Sequence, residues 1–315
     1  MDAGARRRPS GRERLDLAVL VVNAGSTSLK RSLVDDAERS EQVDDYVPAD
    51  AVGHRVVHGG PRFREPVLLD AEVETVLEDL VALAPLHNRP ALAAIREARA
   101  ALPDVPQVAV FDTAFHATIP AEAATYAVPA RWRDEWGIRR YGFHGLAVAW
   151  AAEEVAVARL VVCHLGGGCS VTAVLDGRSV DTTMGFSPLE GVPMATRSGS
   201  VDPGALVHVL REHGLSADEL DDALEHESGL AALGGLDSEL GFGVYTYRVA
   251  QAVAAMATAL GGLDAIAFSG GVGENRADVR DAVAARVAFL GPFDVRVVAA
   301  REDVMVARAV RSLLG

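Results

Sequence analysis

The chain has 315 residues, half of them hydrophobic, which is enough to bury a large core in one large domain or two medium ones. Acidic residues outnumber basic ones 44 to 30, giving a net charge of −14, so neither nucleic acid nor an anionic membrane is an attractive partner. Cys163 and Cys169 are too few for a disulfide framework and their spacing is not a zinc-ligand pattern, which favours a reduced cytoplasm.

In chain order, five arginines between Arg6 and Arg14 precede the apolar run Leu15 to Val22. The run is short and no convincing cleavage site follows, so residues 1–14 read as a flexible basic tail and the run as a buried strand. No stretch is long and apolar enough to span a bilayer. Residues 17–34 (LAVLVVNAGSTSLKRSLV) read as strand, tight turn and strand. Helical periodicity fills residues 71–84, 90–101, 145–158, 204–225 and 244–260. An apolar strand over 105–111 runs directly into Asp112. Residues 160–180 repeat the strand, turn, strand pattern around three consecutive glycines and add a turn at Asp176-Gly177. Residues 265–283 read as strand, glycine loop and amphipathic helix. Strands alternating with helices predict an α/β fold. The two similar hairpins, half a chain apart, suggest related halves facing a cleft, with the boundary near residue 140, although two unrelated hairpins would give the same pattern.

Glycine loops bring backbone N–H groups close to phosphate oxygens. His164 to Ser170 and Gly270 to Asn275 are two such loops, and together with the Ser/Thr-rich turn Asn23 to Ser28 they point to nucleotide phosphate. Singly, each could merely turn the chain. Arg55 and Arg197 each stand among apolar residues close to glycine, a setting for a structural ion pair or for a fork on carboxylate or phosphate. Asp112 at a strand end is either a helix cap or a functional acid. His144, between Phe143 and Gly145, reads by itself as a structural histidine.

Taken together, eight blocks in order resemble the acetate kinases: Asn23 to Lys30, Gly53 to Gly60, Ala84 to Asn88, Phe111 to His116, Arg139 to Gly145, Met184 to Gly191, Thr196 to Gly199 and Gly270 to Asn275. The resemblance implies a duplicated two-domain fold like sugar kinases and actin-like ATPases, with an N-terminal acid-binding domain over 15–140 and a C-terminal nucleotide-binding domain over 141–315. It implies reversible phosphoryl transfer from ATP to acetate, giving ADP and acetyl phosphate, with Mg²⁺ (Mn²⁺ as a substitute), in a cytoplasmic homodimer. It assigns catalysis to Asp112, His144 and Arg197, and the acid to Arg55 with Val57, Leu86, Phe143 and Pro188. Nucleotide would fall to Lys30, His164, Leu165, Gly166, Gly167, Gly168, Gly271, Val272, Gly273, Glu274 and Asn275, and the metal to Asn23 and Glu302.

The chain also departs from the family. It is shorter, notably between Asp35 and Val52. Gly167 stands where the family has asparagine, Ala195 where it has glycine, and Ser200 where it has aspartate. The segment Gly235 to Phe242 lacks the arginine expected near Gly241. Two other readings follow from these departures: a changed phosphoryl donor, such as pyrophosphate, or a paralogue that binds ligand without turnover.

Overall fold

The computed structural model describes residues 17–25, 29–83 and 85–315, with the side chains of residues 82–87 outside that description. The expected basic tail and the Ser/Thr part of the first turn lie outside the described residues, as does the side chain of Leu86. The first half builds a six-stranded sheet from β1 (Val19–Ala24), β2 (Leu29–Val34), β3 (Ser40–Val43), β4 (Ala51–Val56), β5 (Val67–Leu68) and β6 (Gln107–Phe111), in the order β3-β2-β1-β4-β6-β5. Its helices are α1 (Ala71–Asp79) and α2 (Pro85–Ala101), then the short α3 (Ala121–Ala124) and α4 (Ala130–Asp134).

The second half begins with α5 (Gly145–Val155) and builds a five-stranded sheet from β7 (Arg159–Leu165), β8 (Cys169–Leu175), β9 (Arg178–Thr182), β10 (Ala265–Ser269) and β11 (Asp294–Val297). Its order is β11-β10-β7-β8-β9. Helices α6 (Pro203–Glu212), α7 (Ala217–His226), α8 (Gly229–Ala232) and α9 (Glu239–Leu260) precede β10; α10 (Gly270–Asn275), α11 (Ala277–Val287) and α12 (Glu302–Leu314) follow it.

The two sheets share a plan. In each, two antiparallel pairings lead from an edge strand to the central strand (β3-β2-β1 and β9-β8-β7), and two parallel pairings continue from it (β1-β4-β6 and β7-β10-β11). The duplication expected from the hairpins is therefore present.

The central strands are continuously apolar because both faces are covered. Leu20 and Val22 on β1 enter a core with Val52, Phe111 and α2, while Val19 and Val21 point the other way onto Val306 and Val310 of α12. On β7, Val161, Cys163 and Leu165 meet α9, and Leu160 and Val162 meet Val148 and Ala151 of α5. Cys163 and Cys169 are free and buried.

Two expectations shift. The helix expected over 204–225 breaks at Gly214, whose φ of +71° ends α6, and Ser216 then opens α7 with a capping box to Glu219. The glycine loop expected after β10 is itself a helical turn, α10. The Asp176-Gly177 turn has φ of +48° and +78°, the left-handed pair a two-residue hairpin loop requires. We place the domain boundary near residue 140 for the two sheets, with α12 excepted, since it returns to cover the first sheet.

Candidate functional site

The strand ends β1, β4 and β6 of the first sheet and β7 and β10 of the second face one cleft. It holds two cavities that share Arg55 and Gly167 on their linings, one of about 890 Å³ and one of about 320 Å³. Ligands of open α/β sheets bind at such carboxyl ends.

The smaller cavity gathers Arg55, Val57, Asp112, Phe143, His144, Gly167, Gly168, Pro188 and Arg197, residues far apart in the chain that the family resemblance groups by role. Arg55 leaves β4 and lies across the carboxylate of Asp112, which follows β6. Nε donates to Oδ1 at 3.0 Å and Nη2 to Oδ2 at 2.5 Å. Arg55 Nη1 also donates to Asn23 Oδ1 at 3.0 Å, and Glu302 Oε2 stands 3.5 Å from Nε. Among the described residues, these bonds occupy three of its five N–H groups, and the other two can serve a ligand. Asp112 is thus neither a free acid nor a helix cap. Burial pushes its carboxyl up to about 6, Arg55 opposes that rise, and the group is ionised at neutral pH.

His144 reaches the cavity through an unusual backbone, with φ of +60° immediately before α5. The turn is tight: Gly145 N donates to Asp112 O at 3.1 Å, and a Cβ on Gly145 would lie 2.0 Å from that oxygen, so only glycine fits. His144 Nδ1 lies 3.0 Å from Ser170 Oγ, which can donate to it and leave Nε2–H to face ligand. Burial first, then the nearby His164 and arginines, hold its pKa well below the usual histidine range, so the imidazole is neutral. A Cβ on Gly168 would stand 3.1 Å from His144 Nε2 and 3.5 Å from Arg197 Nη1. Both donors therefore converge on the backbone at Gly168, and a glycine at that position keeps them accessible.

Val57, Phe143 and Pro188 form the apolar part of the small cavity. They are braced from behind. Asn88 accepts from His58 N at 3.2 Å and donates to His58 O at 3.1 Å, fixing the chain after Val57. His116 Nε2 bonds Phe143 O at 2.8 Å and its Nδ1 bonds Ser179 Oγ at 2.8 Å. Arg140 Nη1 gathers the carbonyls of Thr182, Thr183 and Met184 within 2.8–3.0 Å, and its Nη2 holds Glu190 at 3.0 Å, shaping the loop that carries Pro188.

The larger cavity is lined by Asn23, Lys30, Arg55, His164, Gly166, Gly167, Gly270, Gly271, Glu274 and Glu302 among others. The side chain of Leu165 is wholly buried in the core beneath β7, because strand alternation turns it away from the cleft, so only its backbone faces that way. Val272 packs against the same core, and Gly273 is buried. Glu274 faces inward to cap backbone, accepting from Gly270 N at 3.0 Å and Ala300 N at 3.2 Å. Asn275 is exposed and bonds Gly271 O at 2.8 Å. A Cβ at Gly167 would meet nothing within 4 Å, so the position has room for the amide side chain it lacks.

A metal would need hard oxygen donors. Glu302 at the start of α12 and Asn23 at the end of β1 are linked by a 3.2 Å hydrogen bond on the wall of the larger cavity. No group of three or more His, Cys, Asp or Glu side chains suited to a metal occurs among the described residues. The pair suits an ion that keeps several waters and borrows phosphate oxygens, as Mg²⁺ does, and not a fully protein-caged metal.

A model of the acetokinase family matches residues 40–303. The chain belongs to that family. An acetate kinase from Synechococcus sp. (strain JA-2-3B'a(2-13)) is 46% identical over 309 residues, covering 84% of this chain and 76% of that protein. A propionate kinase structure from Francisella tularensis superposes with a TM-score of 0.85 at 32% identity, covering 93% of this chain and 98% of the other. The Porphyromonas gingivalis acetate kinase structure gives 0.83 at 29% identity, covering 95% and 100%. The chain spans 76% of the length of the Synechococcus relative and 64% to 67% of seven other curated acetate kinases. As an acetokinase it is a phosphotransferase on a duplicated α/β fold, an acetyl phosphate-forming kinase for which the family implies ATP and ADP.

Some residues of this acetokinase site carry no sequence signal of their own. Ser170, behind His144, is one of two buried polar residues, with Thr172, on the same face of β8, and its pairing with a histidine 26 residues earlier shows only in the fold. Glu225, whose Oε2 accepts from Arg197 Nε at 2.6 Å, sits in a helix rich in acidic residues that reads as a solvated face.

Proposed function

We propose that this chain transfers the γ-phosphoryl group of ATP to the carboxylate of acetate, reversibly, with catalysis by Arg197, His144 and Arg55. The observation that carries the reading is the convergence of Arg197 Nη1 and His144 Nε2 on Gly168, beside an apolar recess and opposite Arg55. Phosphoryl transfer spreads negative charge over the equatorial oxygens and asks mainly for alignment and cationic donors. Arg197 supplies a fixed charge there, and His144 a neutral N–H. Val57, Phe143 and Pro188 take the methyl group, so that the carboxylate points at Arg55. A carboxylate is already nucleophilic at neutral pH. Asp112, clasped by Arg55, therefore orients that arginine and is not needed as a strong base.

On the donor side, Lys30 and the backbone at Gly166, Gly167 and Gly271 border the larger cavity, with Gly168 on the smaller one, and suit phosphate oxygens. Asn23 and Glu302 would hold Mg²⁺, which would supply positive charge to offset that of the phosphates. Arg55, 3.5 Å from Glu302, holds that carboxylate in place on the cavity wall. We place the enzyme in the cytoplasm, consistent with its buried free thiols, and assign it the homodimeric state. No described helix is long and apolar enough to cross a membrane.

A changed donor is the second reading. The larger cavity runs along Ser32, Glu38, Arg39, Ser40 and Gln42 and does not draw on residues 235–242, where the family resemblance locates adenosine. One assay decides. Hydroxylamine trapping of acyl phosphate with Mg²⁺, acetate and ATP is expected to yield hydroxamate. Product with pyrophosphate but not ATP would select the second reading, propionate outpacing acetate would change the acid, and no product from any combination would reject both.

A further inference from the structure

Arg197 lies in a loop without regular structure, between the apolar wall and α6, yet its guanidinium must hold one orientation for its Nη edge to face the cavity. The loop is held from one side by the end of α7 and the turn into α8. Ser198 N donates to Leu224 O at 3.0 Å, Thr196 Oγ1 donates to Glu225 O at 2.8 Å, and Ser228 N donates to Thr196 O at 2.9 Å. Gly229 completes the contact with φ of +62°, where a Cβ would lie 2.6 Å from Arg197 O. All these grips act on backbone or on Thr196. None involves the side chain of Glu225.

That side chain does something separate. Its Oε2 accepts from Arg197 Nε at 2.6 Å, with the two side chains only 11% and 14% exposed. A guanidinium is planar, so a charge-assisted bond on its Nε edge fixes the plane in which Nη1 and Nη2 lie. Nη1 is the guanidinium atom that would stand 3.5 Å from a Cβ at Gly168.

We infer that Glu225 is a positioning residue, whose carboxylate locks the guanidinium of Arg197 so that its Nη edge meets the phosphoryl group in transit. The inference rests on the proposed role of Arg197. Without that carboxylate the arginine side chain would sample more rotamers and meet the transition state in a fraction of them, lowering turnover while leaving substrate affinity nearly intact.

The test compares steady-state kcat and KM for acetate and ATP in wild type, Glu225→Gln and Glu225→Met, with thermal melts of each. Gln keeps an acceptor at the same reach. Met keeps the volume and loses the acceptor, so packing is retained. Glu225→Met is expected to lower kcat about 10- to 100-fold with both KM values within about threefold, the range seen when an orienting partner is removed. Glu225→Gln is expected to recover most of that loss, to within about fivefold of wild type. A kcat for Glu225→Met within about threefold of wild type overturns the inference. So does an equal loss in both variants, or a loss carried by KM. Arg197→Ala is assayed alongside: if it retains normal turnover, the role of Arg197 fails, whereas an inactive Arg197→Ala beside a normal Glu225→Met removes only the role of Glu225.

Discussion

Asp112 shows how one residue can take its function from its partners. Buried beside Glu302 and clasped by Arg55, its carboxyl is pushed up to about 6 from an ordinary value near 3.8. Acidification therefore adds a proton in the folded protein before it would in the unfolded chain. This group's contribution to stability is fully present at low pH and is lost as pH rises through about 6. Activity should move the opposite way. Protonation weakens the clasp that aims Arg55, so kcat/KM is expected to fall on an acidic limb near pH 6 while circular dichroism shows the fold intact. In Asp112→Asn that limb should disappear on a much lower plateau. A limb unchanged in the variant would assign the titration elsewhere. The residues of this site are partly legible in the sequence, because arginine, histidine and glycine in apolar settings need a reason to be there. Glu225 is not legible, since its role depends on where the end of α7 comes to rest.

Among the elements, α12 shows most plainly what pattern alone does not reveal. Its amphipathic face is readable, but its position on the first sheet follows from the chain crossing back between the domains, with Val304, Val306 and Val310 wholly buried there. This return sets Glu302, at its first turn, beside Arg55 and Asn23. Gly53 on β4 is what lets the helix sit so close, since a Cβ there would lie 2.6 Å from Val306 and 2.8 Å from Val310. Gly53→Ala is expected to destabilise the fold by about 1–3 kcal/mol through overpacking and to lower activity by displacing Glu302. Adding Val306→Ala should recover part of both losses. Strictly additive losses, read by denaturant unfolding, would show that the two positions do not touch. Strands are legible from their apolar runs, whereas α6 and α7 read as one helix because the periodicity runs on across Gly214.

At the level of the whole molecule, the matching strand orders explain why the chemistry lies where it does. Each half sends its central strand and the adjacent parallel strand to the same cleft, so Asn23 and Arg55 from one sheet share a cavity wall with His164 and Gly270 at the strand ends of the other. Recurrence of strand, turn and strand is visible in the sequence. The facing of the two sheets is not, because it depends on α5 and α12 packing between them through Leu146, Trp150 and Val304. Such an arrangement suits closure of the domains over substrate, which would shut water out of the small cavity.

The central claim is that Arg197 supplies charge to a phosphoryl group moving onto a carboxylate. It is tested most directly by hydroxamate formation from ATP and acetate in wild type and Arg197→Ala at matched folded concentration. Robust product is expected from the first, and a loss of two to three orders of magnitude or more in kcat from the second, as for removal of a transition-state donor (about 10²–10³). Turnover by Arg197→Ala within about tenfold of wild type would contradict the claim.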